Sequence, residues 1–385
     1  MSTFLFTLAL FGAVAAYGQL VANSRYLSRA SETLRAWAVS LPPPTPLAAA
    51  ALVAEARQRA QLYDDQIVAK HLVDGMVVNK ELDGNMLDQC DSLLFSSLRY
   101  ASLVKLGATE RAAKAWSAIE KSQVDGHWLR HPRCPKSTSR DMLVGLLIAL
   151  AQHPPNAETH LKSLLKRVGD HNGYFSTGPI YVSYLTPGLA RFLAMLAPGA
   201  RVSDQDLPDI VRDGYSTAEL EVMVVDEGYE AHLGGLSAWL EMELAKETST
   251  EDRRGSWPVA AVDEAVKPFA SPTLEAQRLE WITDRLMQVD GTNLFFRYLR
   301  LRAAGALTPA VRERLLGDLL SRSQFPADRL PEDCDRKADY LWQRNRWHRW
   351  HHPVDCSVEY SGVDYLWMTA LLLDGWNVDT KTVAH

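Results

Sequence analysis

Apolar residues recur at three- and four-residue spacing along most of this chain, and that spacing predicts helices. Cys90–Leu106 shows it plainly: CDSLLFSSLRYASLVKL gathers its apolar positions on one face, and Gly107 follows as a C-terminal stop. Thr109–Lys121, Arg140–Ala151, Ala157–Val168, Pro187–Leu196, Thr217–Met223 and Ala231–Glu247 continue the pattern. Leu274–Val289, Asn293–Ala304, Pro309–Arg322 and Gly362–Leu373 complete it. Ser139 stands where an N-cap belongs before the Arg140 helix, and Pro154-Pro155 ends that helix. An Ala-rich helix is expected over Leu47–Tyr63. Strand-like runs are short, at Val73–Val78 and Ile180–Tyr184. The expected fold class is all-α, with short β segments in loops.

The first residues read differently. Phe4 to Ala16 is continuously apolar, but shorter than the roughly 18–20 residues that span a bilayer comfortably. Ala16-Tyr17-Gly18 supplies small residues at the usual cleavage positions. Residues 1–18 are therefore expected to be a secretory signal peptide, or a signal anchor if the apolar character extends to Ala22. Residues 19–46 form an N-terminal arm that ends in the stiff linker Ser40-Leu-Pro-Pro-Pro-Thr-Pro46. Residues 47–385 are the helical domain. Export gives meaning to Cys90, Cys134, Cys334 and Cys356. Four cysteines allow three pairings, and local pairing, Cys90 with Cys134 and Cys334 with Cys356, is the expectation. The alternative is four buried thiols in a reducing compartment. No C-x-x-C pair is present, which argues against a zinc site.

The helices are separated by loops with unusual chemistry. Gly126–Asp141 packs two His, three Arg, a Trp and a Cys into one connector. Asp141 near a helix start satisfies capping and dipole rules as well as catalysis. His127, Trp128 and Arg130 are harder to explain as caps and suit a sugar, whose apolar face covers an indole while polar groups bond its hydroxyls; the alternative is that Trp128 anchors the loop and the cations pair with surface acids. Upstream, Glu81 and Asp83 lie ahead of a helix, and Asp88 and Asp91 share one face at its start as N-cap and first-turn acid. His171 and Tyr174 flank the turn Asn172-Gly173. Asp226 to His232 offers three acids and a His, equally suited to a solvated helix face. Late in the chain, Trp347, His348 and Trp350 make a second aromatic wall, followed by Glu359, Tyr360 and Asp364 before an apolar helix. The spacing of His348, His351 and His352 suits a metal, but Pro353 disfavours helix there and no HExxH pattern exists. No metal and no cofactor is expected.

A loop rich in Asp, Gly, His and aromatics thus precedes an apolar helix at Glu81–Asp91, Gly126–Asp141, Asp170–Pro187, Asp290–Phe296 and Asp355–Trp367. In this rhythm the chain resembles the (α/α)6-toroid carbohydrate-active enzymes, the six-hairpin glycosidases and the toroid-type polysaccharide lyases. The resemblance covers roughly Leu47 to Trp376 and lies in architecture and loop chemistry, so no family residue is carried over to a position here. It implies a toroid of helical hairpins and a polysaccharide or oligosaccharide substrate.

Glycoside hydrolysis needs one acid for the leaving oxygen and a second to activate water or attack carbon. Asp141 and Asp364 are the first candidates, with Asp91 and Glu359 behind them. A lyase would instead neutralise a uronate and remove a ring proton, for which Arg130, Arg140, His127, His171, Tyr174 and Tyr360 are available. A non-catalytic glycan- or protein-binding scaffold, held at the membrane by an uncleaved N-terminal segment, is the third reading. A net charge of -6 and no Lys/Arg run argue against nucleic acid as a partner. No GxSxG, GxxxxGK[ST] or GxGxxG pattern occurs, which lowers α/β-hydrolases, P-loop NTPases and nicotinamide enzymes together.

Overall fold

The computed structural model describes residues 34, 36–41, 46–81, 85, 90–134, 137–178, 182–185, 189, 192–193, 196, 229–247, 272–289, 291, 293–321, 358–359 and 361–376. The expected signal segment, the helix at Thr217–Met223, the Trp347–Trp350 wall, Cys334 and Cys356 lie outside the described residues. No helix among the described residues is long and apolar enough to cross a membrane.

The protein is mostly helical with little strand. In chain order come α1 (Pro46–Lys70), β1 (Leu72–Val73), β2 (Met76–Val77), β3 (Lys80–Glu81), α2 (Ser92–Lys105) and α3 (Thr109–Glu120). Next are β4 (Gln123–Val124), β5 (His127–Trp128), α4 (Arg140–Leu150), α5 (Ala157–Asp170), β6 (Tyr174–Thr177) and β7 (Val182–Tyr184). Then follow α6 (Tyr229–Glu247), α7 (Pro272–Val289), α8 (Leu294–Ala303), α9 (Pro309–Ser321), β8 (Val358–Glu359) and α10 (Val363–Leu373).

Two kinds of helix alternate. In α2 every residue from Ser92 to Leu103 is buried, in α4 every residue from Met142 to Leu150, and α10 is buried throughout. By contrast, α3 and α5 bury one stripe each: Ala112, Ala115, Trp116, Ala118 and Ile119 in α3, and Leu161, Leu164 and Val168 in α5. The buried helices pack on one another, α2 against both α4 and α10, α4 against α6, and α6 against α8. Helix α10, late in the chain, also packs against α1. The backbone of α4 can approach α2 closely because position 145 is glycine. A Cβ there would stand 2.7 Å from the Leu94 Cα.

Among the described residues, four two-stranded antiparallel ladders decorate the helices. Three are hairpins between a half-buried helix and the loop that leads onward: β1–β2, β4–β5 and β6–β7. The run Val73–Val78, expected as one strand, is a hairpin because Asp74 and Gly75 both take positive φ, 52° and 83°. Asp125 and Gly126 repeat this turn at 49° and 77°, making β4 and β5 from residues that had shown no strand signal. Asn172 and Gly173 have the same left-handed geometry ahead of β6, as their sequence had predicted. The fourth ladder joins early and late parts of the chain, pairing Lys80 with Glu359 and Glu81 with Val358. It brings the lead-ins of α2 and α10 together, and the Ser361 N–H donates to Asn79 Oδ1 at 3.0 Å beside it.

Among the described helices, some ends follow their local signals and others do not. Gly107 closes α2 in a Schellman arrangement, its N–H on the Val104 carbonyl and that of Ala108 on Leu103. Asn293 caps α8 through Phe295 N at 3.0 Å. Ser139 occupies the N-cap position of α4 but makes no side-chain cap bond, because its hydroxyl is turned to other partners. Helix α1 runs past the expected end at Tyr63 to Lys70, since Asp64 is buried in an ion pair and Ile67 continues the apolar stripe.

The second hairpin gives a direct test of this packing. A Cβ at Gly126 would meet the Ser163 carbonyl oxygen of α5 at 2.7 Å, while one at Gly107 would meet nothing within 4 Å. Both glycines have φ above +70°. Gly107→Ala is expected to cost the left-handed penalty alone, about 1–2 kcal/mol. Gly126→Ala adds the backbone clash, for about 3 kcal/mol or more in denaturant unfolding. Equal losses would show that the hairpin tip does not lean on α5.

Candidate functional site

The N-termini of the buried helices share one end of the molecule. Leu94 N donates to the Met142 sulfur at 3.3 Å, so α2 and α4 begin side by side. The β3–β8 ladder sets the start of α10 beside that of α2, and His232 of α6 lies on Phe296 of α8, ring centroids 5.2 Å apart. Asp91, Asp141, His232 and Asp364 are all found within the first turns at this end or just before them.

Asp91 and Asp141 are parts of one network. Arg130, 4% exposed, pairs its guanidinium with the Asp91 carboxylate. It also donates to Ser139 Oγ, and the Ser139 hydroxyl donates to Asp141 Oδ1. The sequence Asp91, Arg130, Ser139, Asp141 therefore runs unbroken from the start of α2 to the start of α4. Asp91 is not in the first helical turn, as its position had suggested. It is the N-cap residue, with φ -71° and ψ 47°, and makes no cap bond because Arg130 holds it. The Ser139 hydroxyl bridge was not read from the sequence, where capping alone explained that residue.

The loop that carries Arg130 is fastened on three sides. Cys134 is joined to Cys90 by a disulfide, the residue before Asp91. In the chain-entropy view, closing this loop of about 44 residues contributes about 4 kcal/mol. On a second side, His131 Nε2 meets the Val73 carbonyl at 3.1 Å and its Nδ1 accepts from Arg133 N at 3.1 Å. Both ring nitrogens are thus engaged, with the proton on Nε2. Burial holds the His131 pKa below the usual histidine value. Arg133 grips Asp74 through two bonds of 2.6 and 2.7 Å, and this bonding holds the exposed Asp74 carboxyl below the usual carboxylate range. On the third side, Thr138 N donates to Ser176 Oγ at 2.9 Å and Ser183 Oγ–H donates to the Thr138 carbonyl at 3.1 Å.

Other expected site residues are placed differently. Trp128 is not a platform for a sugar: it is 2% exposed and its ring lies 6.3 Å from that of Trp116 and 5.2 Å from that of His160. An indole covered by protein on this scale anchors the loop instead. His127 is buried beside it in β5. His171 bonds the Arg167 carbonyl at 3.0 Å, closing the end of α5, while Tyr174 stays 38% exposed on β6. Arg140 is exposed at the start of α4. Asp364 is buried in the first turn of α10. His232 is not on a solvated face. It is buried and its pKa is pushed down to about 3 by that burial. Glu81 and Glu359 fall on the paired strands β3 and β8, which places their backbones together at this end. Asp83, Asp88, Tyr360, Trp347, His348 and Trp350 lie outside the described residues. Among the described residues no cluster of three or more His, Cys, Asp or Glu is arranged to hold a metal ion.

No family model, curated protein or solved structure matches this chain.

Proposed function

We propose that this protein is an exported carbohydrate-active enzyme of the (α/α)-toroid type, a glycoside hydrolase acting on a polysaccharide or oligosaccharide. The observation that carries this reading is the linked set Asp91, Arg130, Ser139 and Asp141 across the starts of two adjacent buried helices. It assembles carboxylates at the end where Asp364 also stands. The alternation of half-buried and buried helices, and the packing of α10 on α1 and α2, are what a ring of helical hairpins requires. The Cys90–Cys134 disulfide fits an oxidising compartment.

In the proposed mechanism Asp141 and Asp364 supply the two carboxyl functions. One protonates the leaving oxygen and the other activates water or attacks the anomeric carbon. Arg130 holds Asp91 and, through the Ser139 hydroxyl, fixes the orientation of Asp141. Tyr174, exposed on β6, would stack on a sugar face.

A panel of polysaccharides, read both by reducing ends and by ultraviolet absorbance, tests this. Reducing ends without an absorbing product are expected. Asp141→Asn should lower turnover by about 10²–10⁴-fold with the circular dichroism spectrum unchanged. An unsaturated, absorbing product would replace the hydrolase with a lyase. Binding without turnover, unaffected by the amide substitution, would leave a scaffold.

A further inference from the structure

The disulfide beside this network does more than close a loop. The Cys134 end is held independently by His131 on Val73, by Arg133 on Asp74 and by Ser176 and Ser183 on Thr138. Arg130 N also donates to the Ser137 carbonyl at 3.3 Å, within the same loop. The Cys90 end has a different character. Cys90 takes φ 54°, in the left-handed region that residues with a Cβ rarely adopt. The Ser92 N–H folds back onto the Cys90 carbonyl at 2.7 Å, and Asp91 sits in this tight turn with no side-chain cap bond to α2. The backbone conformation at position 90 therefore sets where the Asp91 carboxylate is aimed.

We infer that the Cys90–Cys134 disulfide is a positioning element. It keeps Cys90 left-handed and so keeps Asp91 on Arg130. Without the bond, Cys90 relaxes to a right-handed or extended conformation and the pair separates, while Arg130 stays with its loop. Reduction by a dithiol accomplishes this chemically. The S–S bond breaks, two electrons and two protons pass from the dithiol, two cysteine thiols form, and the dithiol closes to its own disulfide. Cys90 and Cys134 are then positioning residues, and the inference rests on the proposed function only in assigning the pair to an active site.

The test is a double-mutant cycle with Asp91→Asn and Arg130→Gln in the full chain, read as unfolding constants in denaturant. In the parent protein the two substitutions are expected to couple by about tenfold or more. In Cys90→Ala/Cys134→Ala the coupling should fall below about twofold, since alanine carries the same left-handed penalty. In Cys90→Gly/Cys134→Ala it should return to about tenfold, because glycine adopts positive φ freely. A purely structural staple would weaken both disulfide-free proteins alike and give no such return. If the alanine variant fails to fold, a folded and coupled glycine variant carries the same support. Coupling that persists in the alanine variant overturns the inference. So does absence of coupling in the parent, or a glycine variant that is uncoupled or unfolded. Turnover is measured separately on the polysaccharide panel. If the coupling pattern holds but no protein turns over any glycan, the hydrolase reading fails and the positioning role stands.

Discussion

Replacing Asp64 with alanine is expected to destabilise the protein by about 3–5 kcal/mol, the cost of leaving a buried charge without its partner. Asp64 lies on α1 with its side chain 2% exposed. Its Oδ1 accepts from Arg99 Nε of α2 at 2.7 Å, and its Oδ2 accepts from Arg111 of α3 at 2.7 Å. One carboxylate thus ties three consecutive helices together. Arg111 retains a second acid, Asp65, at 2.7 Å and is partly exposed, so its loss is small. Arg99 is 5% exposed in its side chain and carries the penalty. Two comparisons isolate the cause. Asp65→Ala, at an exposed pair, should cost less than about 1 kcal/mol. Asp64→Leu with Arg99→Met should recover most of the loss, because removing both charges removes the desolvation problem. Denaturant unfolding measures all three. A double variant as unstable as Asp64→Ala would mean that the contacts of the carboxylate, and not the orphaned guanidinium, set the cost.

Acid should destabilise the protein through His232. Burial pushes its pKa down to about 3, against about 6.5 in an unfolded chain. Between these values the unfolded chain binds a proton that the folded one does not. Stability is therefore fully present above about pH 6.5 and falls as pH falls, by about 1.4 kcal/mol per unit, approaching about 5 kcal/mol near pH 3. His131, also held below the usual histidine value by burial, acts in the same direction. His232→Gln removes one of these titrations. Between pH 6 and 4 its stability should fall less steeply than that of the parent, by about 1.4 kcal/mol per unit. Identical slopes would show that His232 accepts a proton inside the fold. The same burial removes His232 from acid–base chemistry near neutral pH and makes it a packing partner of Phe296.

These two residues show where reading the chain alone stops. Asp64 follows Tyr63, the expected end of the first helix. Its real environment depends on Arg99 and Arg111, one and two helices further along the chain. His232 sits in a run of acids equally suited to a site or to a solvated face, and the face of α6 that carries it is enclosed by α8. Trp128 reads from the sequence as either a sugar surface or an anchor of its loop, and only the packing of Trp116 and His160 over it selects the anchor. The pairing of Cys90 with Cys134 was legible, because local pairing was expected and a loop rich in polar residues needed an anchor.

What the sequence determined by itself was local. Period, glycine stops and X-Gly turns act within a few residues through backbone dihedrals and side-chain spacing. They are enough to predict most of the described helices, the Gly107 terminus and the Asn172-Gly173 turn. Only the tertiary structure decided the rest: that Arg130 meets Asp91, that Ser139 turns from capping to Asp141, and that one carboxylate joins three helices. The physical reason is that a charge or hydroxyl takes the partner that burial leaves beside it. That partner is chosen by which helices pack together, and helical period carries no record of it.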